Sequence, residues 1–261
     1  MNRGAVGFIL VGFLACNGMA ADLSAEQVRE SLTQATEAKP ADLSGKDLSN
    51  LDLSGLYFKK ANLAKANLFG AKLVGSNLSG ANLSGANLDA AWLMRANFTG
   101  ANLSNASLFG PVIYPTLEIN LAERPNFTGA NFSGARVIAR LNQINLRGAN
   151  FSHARMGVDL KNQPMGQMRN DFSGADLSNA DFSGADVNRA QFAFANLTRA
   201  NFAGANLFRA DLSSADLTGA DLTGADLTEA NLDGTILKQA KGLDQVKGMS
   251  KALNRDKAIW N

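Results

Sequence analysis

The sequence predicts an all-β solenoid, a square shaft made by a chain that turns a corner every five residues. Three observations carry that prediction. Large apolar residues recur every five positions, at Leu43, Leu48, Leu53, Phe58 and onward to Ile113, fifteen in register, and again from Phe172 to Leu237, fourteen in register. A helix returns to the same face about every 3.6 residues and a strand about every 2, so neither would keep these side chains together. The residue two positions before the large one is usually small, most often Ala, as a narrow shaft with room for one large residue per side favours, with Lys46, Leu51 and Leu56 as exceptions in the first coil. The composition is biased the same way, with 42 Ala, 34 Leu and 27 Asn among 261 residues but 2 Trp and 2 Tyr, a bias that signals internal repeats. Four units close a coil of twenty residues, and coils stack at the inter-strand spacing of ~4.8 Å.

Residues 1–20 read as a signal peptide. Arg3 precedes an apolar stretch from Ala5 to Ala15, too short for a bilayer core of about 30 Å, so no transmembrane segment is expected in the mature chain. Gly18-Met19-Ala20 puts small residues where a signal peptidase reads them, which places cleavage after Ala20 and the product in the periplasm or outside the cell. Leu14-Ala15-Cys16 loosely resembles a lipobox, so a lipid anchor through Cys16 is the alternative. One Cys excludes a disulfide framework, and with a single His it excludes a zinc cluster. A balance of 25 basic and 23 acidic residues argues against a nucleic-acid binder.

Residues 21–40 form an N-terminal helical cap: Ser24-Ala25-Glu26-Gln27 is a capping box opening an amphipathic segment to about Ala38, and Pro40 stops it. The first run of repeats fills 41–113. Residues 114–171 carry interrupted repeats, with an insert of nine after Ile113, a slip of four after Val137 and an insert of eleven after Met156. The second run fills 172–239. From 240 to 261 the period of five lapses, and Leu243, Val246, Met249 and Leu253 at helical spacing predict a C-terminal helical cap that closes the shaft.

The position before each large residue forms the outer sheath. It reads Asp171, Asp176, Asp181, Asp186, then Gln191, Asn196, Asn201, Asn206, then Asp211, Asp216, Asp221, Asp226. Carboxylates one coil apart repel by on the order of 1 kcal/mol or more near a surface. Alternation separates them and lets amides donate to them. Two residues after the centre, Arg169, Arg189 and Arg209 fall twenty apart and align, with Glu229 ending the line.

The loops 114–126 and 157–171 are where such scaffolds carry binding surfaces. Arg140, Arg147, His153, Arg155, Lys161, Met165, Met168, Arg169, Arg189 and Arg209 are the candidate partner-binding residues. His153 with Met156, Met165 and Met168 is the raw material of a soft-metal site, but its spacing matches no motif. No Ser/His/Asp spacing and no phosphate-cradling Gly loop is present, so no enzyme activity, cofactor or metal site is assigned.

The A(D/N)LxG units, ADLSG at Ala41 and ANLSG at Ala81 among them, resemble the pentapeptide-repeat family. The resemblance implies a right-handed quadrilateral β-helix, and family members that pair through their C-terminal ends imply a homodimer as an alternative role for the cap. It also implies a second function, because members similar to B-DNA in size and charge bind or protect DNA gyrase. This chain departs from them in its predicted export and in lacking an acidic excess. The reading is therefore an exported, non-enzymatic scaffold for protein–protein interaction in the cell envelope. A gyrase binder and a small-molecule or metal-binding periplasmic protein are the alternatives.

Overall fold

The structure, a computed structural model, describes residues 21–58, 60–114, 120–158 and 169–261. The signal-peptide stretch, Cys16, Lys161, Met165 and Met168 lie outside these residues.

Each five-residue unit builds one side and one corner of a coil. On a side, the Leu43 N–H donates to the Asn62 carbonyl and the Asn62 N–H donates to that of Ala41, at 2.8 and 2.9 Å. Parallel pairs of this kind step by twenty residues, so Asp42, Asn62, Asn82 and Asn102 form one column. Four columns run along the shaft, and we name the faces by their first members: Asp42, Asp47, Asp52 and Tyr57. At a corner the chain folds back within one unit, as where the Ala66 N–H donates to the Leu63 carbonyl. The residue just before that donor takes a positive φ, as a type II turn requires, which explains the frequent Gly there. Arg189 and Phe194 accept the same conformation, both at φ 59°.

The central Leu and Phe side chains and the Ala beside them are buried to the last few per cent. Phe132, Phe151, Phe182 and Phe202 stack in one column at 4.8 to 4.9 Å with rings nearly parallel. Phe98 on Phe127 and Phe172 on Phe192 repeat the contact on two other sides, and edge-to-face contacts join neighbouring sides. Both geometries are the ones aromatic quadrupoles favour. Ser76 and Thr235 in Ala slots are buried too, and each returns a hydrogen bond to the main chain. Ser76 Oγ donates to the Leu53 carbonyl and Thr235 Oγ1 to that of Leu212, at 2.7 and 2.8 Å.

On three of the four faces the ladder runs straight through the interruptions. Asn97 pairs with Asn126, Asn126 with Asn145 and Arg140 with Asp171, so successive coils gain nine residues, lose one and gain eleven. Leu141, buried, supplies the centre between Val137 and Leu146, on a side one residue short. Beside that short unit the chain forms longer strands, β1 (Ser107–Phe109) and β2 (Arg136–Ile138), paired in parallel. On the Asp52 face the pairs stop at Val112 and resume at Arg140.

Helix α1 (Ala25–Gln34) starts at the Ser24–Gln27 capping box and ends earlier than Ala38, with Ala35 already extended. Its Val28 and Leu32 are buried in the core cluster. Asp22 pairs with the main chain of Asp47 in the first coil, both as N–H donor and through its carboxylate.

The C-terminal helix expected over 240–261 does not form. The chain instead makes one more coil in steps of six: Lys241, Lys247, Leu253 and Ile259 pair with Asp221, Asp226, Asn231 and Ile236. Gly242, Gly248 and Asn254 turn its corners at positive φ, two of them followed by single turns of 3-10 helix, Met249–Lys251 and Arg255–Lys257. The apolar spacing misled because Leu243 and Met249 are also six apart, and two Gly in that period favour corners over a helix.

Candidate functional site

The inserts leave the shaft at the two edges of the Asp52 face. The first lies between Ile113, on that face, and Asn126, on the Tyr57 face. The second lies between Met156, on the Asp47 face, and Asp171, on the Asp52 face. Their roots are built differently. At the first, Tyr114 is buried and its hydroxyl donates to the Asn142 carbonyl at 2.6 Å, and burial pushes its phenol up from the ordinary value against the pull of Arg124 and Arg140. Arg124 donates to the carbonyls of Leu121 and Gln143, and Arg95 pairs with Glu123 at 3.4 Å. Asn142 Oδ1 is buried there without a hydrogen-bond partner among the described residues.

At the second root Asn170 occupies an Ala slot and is fully buried. Its Nδ2 donates to the carbonyls of Val137 and Met156 at 2.8 and 2.7 Å, and its Oδ1 accepts from the Ala139 N–H at 3.0 Å. One amide thus stitches the shortened side to the start of the insert. The sequence carried a signal for it, since phase alone puts residue 170 in the slot that Ala fills elsewhere.

The candidate residues do not gather in one place. Arg140 is exposed on the Asp52 face, and Arg155 stands on the Asp47 face between Arg136 and Asp186. Arg136 lays its guanidinium over the Phe109 ring, 4.5 Å from the centroid. His153 is exposed at the corner between the Asp42 and Asp47 faces, beside Gly184 of the next coil. Arg147 is on the corner between the Tyr57 and Asp42 faces, away from the others. Arg169, Arg189 and Arg209 share the corner between the Asp47 and Asp52 faces, where Gln191 N–H donates to Asn170 and Arg189 N–H to Phe208. The aligned Arg stripe ends in a pair to Glu229, 2.6 Å from Arg209, and not in pairs to the Asp rings. Arg209 also covers the Phe208 ring at 4.9 Å.

A shallow groove of about 620 Å³ follows the Asp47 face to this corner. Val158, where the second insert departs, Arg189, Phe208, Asp226 and Lys247 line it, and Asn188 and Asn206 add amides. Gly204 and Gly224 keep its wall low, since a Cβ at either would meet no atom within 4 Å. Among the described residues no group of three His, Cys, Asp or Glu is placed to hold a metal, and no helix is long and apolar enough to cross a membrane. The groove offers a cationic edge, an aromatic face and amides.

A stacked shaft with a polar sheath and one shallow groove defines a repeat protein of the β-solenoid class. The family model for pentapeptide repeats matches in eight copies over residues 41–75, 61–100, 71–110, 171–207 and 205–241, more than half of the chain. The chain belongs to that family. No curated protein matches it. Among solved structures it is similar to HetL, a pentapeptide repeat protein involved in heterocyst differentiation regulation from the cyanobacterium Nostoc sp. (26% identity, 91% of this chain and 94% of that chain covered, TM-score 0.47). It is also similar to a pentapeptide repeat protein from the Arabidopsis thaliana thylakoid lumen (29%, 51% and 79%, TM-score 0.26) and to QnrB1, a plasmid-mediated fluoroquinolone resistance protein (16%, 84% and 89%, TM-score 0.31). Likenesses at these scores carry no part of the functional reading.

Proposed function

We propose that this chain is a non-enzymatic scaffold, a right-handed four-sided shaft exported to the cell envelope, that binds a protein partner along the groove of the Asp47 face. The observation that carries the reading is convergence. The root of the second insert, the half-buried Arg189, the Phe208 ring and Lys247 all border one groove, although they come from three coils and the end of the chain. The export half of the reading rests on residues 1–20.

The test is a photo-crosslinker at Val158 in cells, followed by mass spectrometry of the envelope fraction. The expected result is one dominant partner, lost in Arg189→Glu and kept in Arg147→Glu on the opposite side. Equal capture in both variants refutes the groove. Recovery of the adduct from the cytosol, with residues 1–20 still attached, refutes export. Loop deletions in this experiment must spare Asn170, whose amide belongs to the core.

A further inference from the structure

We propose that the last coil is a docking surface for an anionic lipid bilayer, a property beyond the groove, with which it shares Lys247. The end of the shaft carries a charge excess that the repeat itself does not explain. From Ile236 to Asn261 the chain carries Lys238, Lys241, Lys247, Lys251, Arg255 and Lys257 against Asp244 and Asp256, a balance of +4 in a protein whose total is +2. All six cations are exposed. Lys257 is engaged with Asp233 at 3.1 Å, and Arg255 stands 5.9 Å from the centroid of Trp260.

The middle of this end is apolar. Leu243, Val246, Met249, Ala252 and Trp260 pack on the core from one side and stay partly exposed on the other. Leu253 and Ile259, on the Asp52 and Tyr57 faces, are 53% and 43% exposed. Among the described residues no chain pairs with the outer edge of this coil, whereas the opposite end is covered by α1. An apolar centre inside a cationic rim fits a surface that is negative and then oily, which is the order of layers at an anionic membrane. A second copy set end to end would bring one cationic rim against the other, which charge disfavours.

Co-sedimentation of the full chain with vesicles tests this, using phosphatidylcholine alone and phosphatidylcholine mixed with phosphatidylglycerol. The apolar N-terminal stretch is common to every variant and cancels in the comparison. Binding is expected to the mixed vesicles, to weaken at high salt, and to fall about fivefold for each lysine neutralised among Lys241, Lys247 and Lys251. In a Trp92→Phe background, Trp260 emission should shift to shorter wavelength on those vesicles. Leu253→Ser with Ile259→Ser should weaken binding while leaving its salt dependence. Circular dichroism identifies any variant that fails to fold, and the single Lys→Gln substitutions then replace it. Unchanged binding to the mixed vesicles in the folded lysine variants overturns the proposal. A dimer that crosslinks through Trp260→Cys and excludes vesicles assigns the end to a second copy instead.

Discussion

The smallest unit of order here is one amide. Asn62 Nδ2 donates to Asp42 Oδ1 at 3.0 Å, Asn82 to Asn62 at 3.1 Å and Asn102 to Asn82 at 3.2 Å, while each Oδ1 also receives the N–H two residues on. The ladder has a sense, because where a sheath Nδ2 bonds across coils it donates to the N-terminal one. A carboxylate, which only accepts, is the right residue to end it, and Asp42 and Asp47 do so. The Ser44, Ser49 and Ser54 hydroxyls, then their N–H groups, hold the Asp42, Asp47 and Asp52 carboxyls below the ordinary 3.8, and Thr223 does the same for Asp221. A depressed folded value stabilises fully above the unfolded one and is lost as pH falls through the folded one. Melting followed by circular dichroism should therefore drop between pH 5 and pH 2 (about the range where such carboxyls titrate), and drop less in the Asp42→Asn, Asp47→Asn, Asp52→Asn chain. Asn170→Ala leaves two buried carbonyls and an N–H without partners, and urea melts should show a loss of roughly 2–5 kcal/mol.

At the scale of elements, the side-and-corner unit was legible because Leu43 and its successors repeat without error. Leu141 was not, because a four-residue side hides one centre between two regular ones. The last coil was hidden for a different reason: a period of six shares its first positions with a helix, and only Gly242, Gly248 and Asn254 together reveal corners. Of the candidate site, phase could place Arg189, Arg209 and Glu229 in one line, but not the separation of Arg147, which depends on which corner each insert occupies. The corner at Gly248 gives a sharp test. A Cβ there would lie 2.6 Å from the Thr228 main chain. Gly248→Val should release the last coil, with hydrogen exchange rising at Lys247, Leu253 and Ile259 while Leu177 and Leu197 stay protected. It should also abolish vesicle binding if that coil is the dock.

For the whole molecule, stability is a sum over coils and their contacts with the next. Deleting Gln191 to Ala210 removes one coil and keeps every side in phase, but it sets Asp171, Asp176, Asp181 and Asp186 against Asp211, Asp216, Asp221 and Asp226. Each such contact costs on the order of 1 kcal/mol, less in salt. Thermal melts of this deletion should therefore be salt-dependent. Deleting 191–230 instead, two coils rather than one, places Asn231 on Asp171 and should melt with little salt dependence. Equal salt dependence in the two would show that the alternation of acids and amides is not an electrostatic arrangement.

The sense of the amide ladder also sets an order of construction. The first coil to leave a ribosome or an export channel ends in carboxylates that ask nothing of anything beneath them, and α1 is already there to close the bottom. A later coil with an Asn sheath arrives carrying its own side-chain donors and finds acceptors waiting, and a coil with an Asp sheath, like the first, asks nothing of the one beneath it. The shaft can be raised in the direction in which it is made, course upon course, and a stalled chain is a shorter shaft and not a tangled one.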